Sequence, residues 1–260
     1  MAEPLPLPAP SASIPREPRR LAHELVVTTI RLDRAVDHWR EEGDPAIGGP
    51  PRDAELLALY HQRIYRLLRR NDPLAELVLP LLPSGVAREA RSIVAAGRGL
   101  RAITPPLTAP TIRTKRPRPI GELLRYYRAA ERRFGVPWRV LAAVNFVESA
   151  FGKIRSDSAA GAQGPMQFMP ATWRVYGLGS DVHDDRDAII GAANYLRASG
   201  APRDLRRALF AYNHSTAYVD AILRYTARIK ADARNLYVFY SWQVFVRTQQ
   251  GDLRLTGPGR

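Results

Sequence analysis

The chain contains no cysteine among its 260 residues. This absence excludes disulfide bridges, thiolate metal sites and cysteine nucleophiles, and it leaves the redox compartment undetermined. Long apolar runs are also missing: none approaches the roughly 20 residues that a membrane-spanning helix requires, so we expect no transmembrane segment. The first residues, Met1 to Pro18, lack the charged-then-apolar layout of a secretory signal, so we expect no signal peptide in this sequence.

Acidic residues are scarce relative to basic ones, with 25 Asp and Glu against 39 Lys and Arg, which gives a formal net charge of +14. A surface with this excess attracts polyanions, including anionic wall polymers, nucleic acid and anionic membranes. The arginines are dispersed among acidic residues along helical segments, and no nucleic-acid motif accompanies them. We therefore expect no dedicated nucleic-acid binding, and we keep anionic wall polymers as potential partners of the basic surface.

Proline density divides the chain into four segments. Residues 1 to 18 contain six prolines, which deny helical hydrogen bonds and favour a solvated tail, so we predict disorder there. A second proline-rich stretch, residues 101 to 118, predicts an extended linker. Between them, residues 19 to 100 form a predicted helical accessory region, and residues 119 to 260 form a second folded region.

Apolar residues recur at helical spacing through most of the chain, which predicts a mainly α protein. A small hairpin is expected near the end, where Val244, Val246 and Thr248 alternate before a Gln250-Gly-Asp turn. The predicted helices are Leu21 to Trp39, Arg52 to Arg70, Ser84 to Leu100, Ile120 to Phe134, Trp138 to Ala150, residues 171 to 176, Asp187 (as the cap) to Ala198, Asp204 to Asn213, and Thr216 to Ala231.

Glu148 is a carboxylate at the end of an otherwise apolar helix that starts near Val140. Burial against apolar groups disfavours the ionised form, so we expect the pKa of Glu148 to rise toward the working pH, as a general acid requires. A glutamate at a helix end more often reaches solvent. The residues that follow favour the functional interpretation.

Thirteen residues later, the stretch Gly161 to Trp173 contains a glycine-flanked turn followed by Met166-Gln167-Phe168. Such a turn can present backbone donors and an amide side chain to a sugar above an apolar floor. Met166 and Phe168 would also fit an ordinary core. The core interpretation does not explain Gln167 between them, which favours sugar binding.

Three motifs in this order resemble the soluble lytic transglycosylase and goose-type lysozyme superfamily. They are Glu148-Ser149, the stretch from Ser158 through Gly161-Ala-Gln-Gly-Pro-Met-Gln-Phe-Met-Pro, and Ala211-Tyr212-Asn213. The resemblance covers roughly Arg118 to Lys230. Parts of it, such as Asp187 to Leu196, are also similar to the membrane-bound transglycosylase B branch.

The resemblance implies a lysozyme-like helical catalytic domain over residues 119 to 260, with peptidoglycan glycan strands as the partner and neither cofactor nor metal. It implies a cell-envelope or extracellular location, reached by an export route that this sequence does not display. Glu148 would be the catalytic acid and base, and the hydroxyl of Tyr212 would lie near it. The implied glycan-binding residues are Ser149, Ser158, Met166, Gln167, Tyr212 and Asn213.

The sequence departs from the family pattern at several points. Ser158 rather than Asp157 is aligned with the groove serine, Pro165 replaces the usual leucine, and His214 follows Asn213. We assign His214 no role, because a histidine is more often simply packed or solvated. The aspartates at 181, 184, 185 and 187 lack the spacing of a calcium loop and can cap helices, so we predict no metal there.

The resemblance implies cleavage of the β-1,4 bond between N-acetylmuramic acid and N-acetylglucosamine, with closure of a 1,6-anhydro ring. A single carboxylate suffices because the sugar's own hydroxyl attacks. Two alternatives remain open. One is a goose-type hydrolase, in which Asp157, Asp181, Asp184 or Asp185 holds a water; the other is a glycan-binding module without turnover.

Overall fold

The computed structural model describes residues 5–107 and 112–259, and in these ranges the chain folds into α-helices and one two-stranded sheet. The mainly α class is confirmed, and so is the C-terminal hairpin. Before the connector the helices are α1 (Pro18–Glu41), α2 (Arg52–Leu68), α3 (Asp72–Val78) and α4 (Ser84–Ile103). After it come α5 (Ile120–Phe134), α6 (Trp138–Ser149), α7 (Pro170–Tyr176), α8 (Asp185–Ala198), α9 (Leu205–Tyr212), α10 (Thr216–Ala231), α11 (Arg234–Ser241), β1 (Phe245–Thr248) and β2 (Gly251–Arg254).

Two helices were not predicted. The Asn71-Asp72-Pro73 sequence, which we expected only to end α2, also starts α3: the Asn71 side chain accepts a hydrogen bond from the backbone N–H of Leu74 at 3.1 Å. Proline fits there because a first helical turn needs no donor. Helix α11 was missed because its Tyr-Val-Phe-Tyr run has strand-like composition, and burial of this run against the core overrides that preference.

The start of α8 also differs from the prediction. Asp184, not Asp187, is its N-cap, and the Asp184 carboxylate accepts from the backbone N–H groups of Arg186 and Asp187 at 2.9 and 3.1 Å. The Asp187 carboxylate instead accepts from the N–H of Ser180 at 3.0 Å. Both aspartate carboxylates therefore accept hydrogen bonds from backbone N–H groups at or just before the first turn of α8.

The described part of the proline-rich tail, residues 5 to 17, is not helical and contacts α2, and its disorder stays a prediction. Arg63 on α2 donates to the carbonyls of Pro10 and Ala12 at 3.2 and 2.8 Å. Proline removes donors from the tail but leaves its carbonyls free to accept. Guanidinium groups on the neighbouring helices supply the missing donors.

Residues 101 to 103 of the predicted linker belong to α4, whereas residues 104 to 107 and 112 to 118 are not helical, and residues 108 to 111 lie outside the described residues. Thr114 forms an antiparallel bridge with Ile154, and the backbone N–H of Lys115 donates to the carbonyl of Lys153 at 2.9 Å. The end of the connector is therefore paired with the chain that follows α6.

One hydrophobic core runs through both halves of the chain. Helix α4 packs along α10, and α2 packs against α11, so the N-terminal helices share buried surface with the later ones. The division into an accessory region and a catalytic domain stays a prediction. Within the described residues, every helix is too short or too polar to span a membrane.

Candidate active site

Glu148 lies in the last turn of α6, a helix that is buried along most of its length. The two residues after Ser149, Ala150 and Phe151, both adopt left-handed backbone conformations, with φ of 52° and 63°. Side chains other than glycine adopt this region at an energetic cost, and such residues cluster at functional sites. The chain therefore turns sharply away from the helix directly after the carboxylate.

The Glu148 carboxyl group is partly buried, and the hydroxyl of Tyr218 donates to its Oε1 at 2.5 Å. Burial raises the pKa of Glu148 to about 7, and the hydrogen bond from Tyr218 acts in the opposite direction. The predicted rise is therefore present in the structure. A carboxyl group with this pKa holds a proton near neutral pH and can release it readily.

Tyr218 is the site residue that the sequence analysis missed. It stands in the first turn of α10, where the capping side chain of Ser215 accepts from its backbone N–H at 3.4 Å. Burial raises the pKa of Tyr218 well above its ordinary value, so its hydroxyl stays protonated and donates. The signal available was a serine cap followed three residues later by an aromatic residue, on a helix that packs against α6.

Tyr212 is hydrogen-bonded to the loop before α7, and its implied place beside Glu148 stays a prediction. Its hydroxyl donates to the backbone carbonyl of Met166 at 2.6 Å, rather than to Glu148. Burial first and then the charge of Glu148 raise the pKa of Tyr212 well above its ordinary value, which supports that prediction. Tyr212 thus ties α9 to the loop that carries Met166.

Ser149 is fully buried, so it has no surface with which to contact a glycan in this structure. Its hydroxyl donates to the carbonyl of Pro165 at 2.6 Å and accepts from the N–H of Gly152 at 2.8 Å. The buried amide of Asn145 donates to the same carbonyl at 2.8 Å. These contacts fasten the end of α6 to the loop, which is a positioning role.

The loop from Gly161 to Met169 is held in a compact turn. Gln163 and Phe168 exchange backbone hydrogen bonds of 2.8 Å in both directions. Gly164 adopts φ of 72°, and a Cβ built on it would lie 1.9 Å from the carbonyl oxygen of Val182. Only glycine fits at this position, because both the conformation and the close approach exclude a side chain.

Met166 and Gln167 differ in burial and in side-chain polarity. Met166 is fully buried and offers its carbonyl to Tyr212. Gln167 is partly exposed, adopts a left-handed φ of 48°, and donates from Nε2 to the carbonyl of Gly164 at 2.9 Å. The exposed face of the turn is therefore the polar amide, and the sulfur side chain lies beneath it.

Ser158 and Asn213 both keep exposed surface. Ser158 is exposed, and its hydroxyl accepts from the N–H of Ala162 at 2.9 Å. Asn213 ends α9, and its carbonyl accepts from the N–H of Ser215 at 2.7 Å. The first residue therefore lies at the start of the turn, and the second lies between the helices that carry the two tyrosines.

Most of the nearby acidic residues are engaged in the fold. Arg118 binds Asp184 at 3.1 Å and Asp185 at 3.2 Å, and the Asp181 carboxylate accepts from the N–H of His183 at 2.8 Å. Asp157 is exposed. Among the described residues, no group of three His, Asp or Glu side chains is arranged to hold a metal ion.

Residues 125–235 match the family model of the transglycosylase SLT domain, and this range includes Glu148, Tyr212 and Tyr218. The match gives no support to the membrane-bound B branch. The comparisons with curated proteins and with solved structures returned no match. The mainly helical fold is consistent with this match, and residues 125–235 are therefore similar to the transglycosylase SLT domain.

Proposed function

We propose that this protein is a peptidoglycan lytic transglycosylase with Glu148 as its single catalytic acid and base. The observation that carries the proposal is the Glu148 carboxyl group, whose pKa burial raises to about 7 at the end of α6. A general acid works best when its pKa lies near the operating pH. The proposed bond is the β-1,4 linkage between N-acetylmuramic acid and N-acetylglucosamine.

In the first step, protonated Glu148 gives its proton to the glycosidic oxygen as the bond to C1 of the muramyl sugar breaks. The acetamido group of that sugar stabilises the positive charge that develops at C1. In the second step, ionised Glu148 takes the proton from the sugar's own C6 hydroxyl, whose oxygen attacks C1 and closes the 1,6-anhydro ring. The enzyme returns to its protonated form without consuming water.

Tyr218 supports both steps. Its hydroxyl donates to Glu148 at 2.5 Å, so it stabilises the carboxylate that forms after proton transfer. Because the pKa of Tyr218 is raised by burial, the tyrosine does not compete as a proton donor to the sugar. Tyr218 is therefore a positioning and tuning residue for the Glu148 carboxylate.

We propose that the glycan contacts Ser158, Gln167 and Asn213, which all retain exposed surface. The implied ligands Ser149 and Met166 are fully buried and hold the groove in place through their hydrogen bonds to Pro165 and Tyr212. The proposed substrate places the action of the enzyme at the cell envelope or outside the cell. Anionic wall polymers remain proposed partners of its basic surface.

Hydrolysis of the same bond would need a second carboxylate to hold water. Asp181, Asp184 and Asp185 are committed to backbone caps and to Arg118, which leaves Asp157 as the candidate for that role. This distribution favours the transglycosylase reaction over the hydrolase.

The test is digestion of purified sacculi followed by mass spectrometry of the released muropeptides. We expect anhydro ends, which are lighter than reducing ends by one water. Reducing ends alone would establish hydrolysis and overturn the proposed reaction. Binding to sacculi without any release would identify a glycan-binding module instead.

A further inference from the structure

A cavity lies between the N-terminal helices and the segment that matches the SLT domain. Its volume is about 230 Å³. Four guanidinium groups line it, and all come from elements outside the matched range of the SLT domain: Arg66 and Arg69 on α2, Arg101 on α4 and Arg247 on β1. We call this cavity the arginine pocket.

The aromatic side of the arginine pocket comes from α2, from the segment that matches the SLT domain and from its C-terminal extension. The rings that line it are Tyr65, Phe146, Tyr225, Trp242 and Phe245. Phe146 and Tyr225 meet edge to face with ring centroids 4.9 Å apart. The pocket therefore has one cationic side and one apolar, aromatic side.

The positive charge of the pocket is incompletely neutralised. The Asp252 carboxylate on β2 forms ion pairs with three arginines: Arg66 at 2.5 Å, Arg70 at 3.1 Å and Arg101 at 3.6 Å. Among the described residues, no carboxylate lies within ion-pair distance of Arg69 or Arg247. Burial lowers the pKa of Arg66 to about 9, although the Asp252 carboxylate acts in the opposite direction.

Three buried atoms at the pocket have no hydrogen-bond partner among the residues that the structure describes: the Tyr65 hydroxyl, Arg69 Nε and Trp242 Nε1. The two aromatic residues are 2% and 6% exposed. Arg69 Nε and Trp242 Nε1 can only donate, and burial holds the pKa of Tyr65 far above its ordinary value, so its hydroxyl also keeps a proton to donate. Buried donors without acceptors are costly, so a ligand that brings acceptors would be favoured.

The arginine pocket lies beside the proposed catalytic groove. Val147 and Ala150, on either side of Glu148 in the sequence, line it, and Tyr225 stands seven residues after Tyr218 on α10. Seven helical residues correspond to a rise of about 10 Å. Three residues of extended peptide span roughly the same distance, about 10 Å.

We propose that the arginine pocket binds a carboxylate of the peptide that the muramyl sugar carries. This inference rests on the proposed function, since that peptide belongs to peptidoglycan. A carboxylate supplies only acceptors, matches the planar guanidinium fork, and can sit against an aromatic surface through the peptide's aliphatic part. The N-terminal helices would thereby add peptide recognition to glycan cleavage.

The first experiment is calorimetric titration of the full chain with the synthetic tripeptide L-alanyl-γ-D-glutamyl-L-lysine. This probe has no glycosidic bond, so its binding is measured independently of turnover. Tyr65→Phe removes an unpartnered hydroxyl, and we expect it to weaken binding about tenfold while leaving the unfolding temperature of the free protein unchanged or higher. A second pair of variants tests the role of charge. Arg69→Gln removes a guanidinium group from the pocket, and Arg91→Gln, at an exposed position on α4, is its matched control.

We expect Arg69→Gln to weaken tripeptide binding about tenfold and Arg91→Gln to leave it unchanged. Equal effects of the two variants, or no binding of the tripeptide to the wild type, would overturn the inference. Inorganic phosphate that binds more tightly than the tripeptide would also overturn it, because the pocket would then be a phosphate site. Turnover of sacculi is scored separately: anhydro products without tripeptide binding refute the pocket alone, and tripeptide binding without products refutes the proposed reaction.

Discussion

The N-terminal helices and the segment that carries the candidate site are built in contrasting ways. In α1, α2 and α4 the buried residues are almost all apolar and recur at helical spacing. In the segment from Glu148 to Met169, three residues other than glycine adopt left-handed conformations, and Ser149 is a fully buried polar residue. The first region follows the local rules of helix formation, and the second departs from them repeatedly.

The difference shows where strain can be tolerated in this molecule. Unfavourable backbone and buried polar groups persist only where the surroundings over-determine them. Helix α4 packs along α10, and a Cβ built on Gly99 of α4 would lie 3.4 Å from the carbonyl oxygen of Ala217, the residue before Tyr218. Helix α4 of the N-terminal region therefore packs against the start of α10, next to Tyr218, which hydrogen-bonds to Glu148.

The largest expected effect is a difference in catalytic activity between the variants of two glutamates, one in each region. Glu148→Gln should reduce the release of muropeptides at least about a hundredfold, because an amide cannot transfer the proton. The control is Glu89→Gln on α4, where burial also raises the pKa but the partner is Arg228 at 2.6 Å. The measurement is the initial rate of muropeptide release from sacculi by each folded variant. Wild-type rates from Glu148→Gln would remove the role that we propose for it.

A second prediction compares one glycine from each region by its effect on stability. Gly164→Ala should lower the free energy of unfolding by about 3 kcal/mol or more, because the new Cβ combines a left-handed φ with a backbone clash. Gly85→Ala, in the first turn of α4, meets nothing within 4 Å and should change stability by less than about 1 kcal/mol in either direction. Denaturant unfolding of both variants measures the difference. Similar losses would mean that the site segment is no more constrained than the helices.

The same contrast explains how far the sequence could predict the structure. Periodicity located α1, α2 and α4 because apolar residues recur at helical spacing in each of them, and alternation located the hairpin. It did not find Tyr218, because contact between α6 and α10 joins residues 70 positions apart and no local pattern encodes that distance. It assigned glycan contacts to Ser149 and Met166 from motif membership, whereas burial depends on tertiary packing that a motif does not specify.

A third prediction concerns the pH dependence of activity in variants of the two tyrosines of the site, Tyr218 and Tyr212. The hydrogen bond from Tyr218 lowers the pKa of Glu148, so Tyr218→Phe should raise that pKa and move the alkaline limb of kcat/KM upward by about one pH unit from its wild-type position near 7. Tyr212→Phe loses only a hydrogen bond to a backbone carbonyl and should leave the limb in place. The readout is kcat/KM against pH for both variants. An unshifted limb in Tyr218→Phe would show that this hydroxyl does not tune Glu148.

The smallest expected effect concerns the stability cost of the catalytic carboxyl group. Burial raises the pKa of Glu148 from 4.5 to about 7. Between pH 4.5 and about pH 7 the folded state therefore holds a proton that the unfolded state has lost. Wild-type stability falls as the pH rises through this range. Glu148→Gln cannot ionise, so at pH 8 it should be more stable than the wild type by about 2 kcal/mol, and below about pH 4.5 this advantage should disappear. Glu89→Gln should show no such gain, because it breaks an ion pair with Arg228. Denaturant unfolding at the two pH values tests this prediction: an inactive Glu148→Gln that gains no stability at pH 8 would mean that the wild-type Glu148 carboxyl group is well solvated.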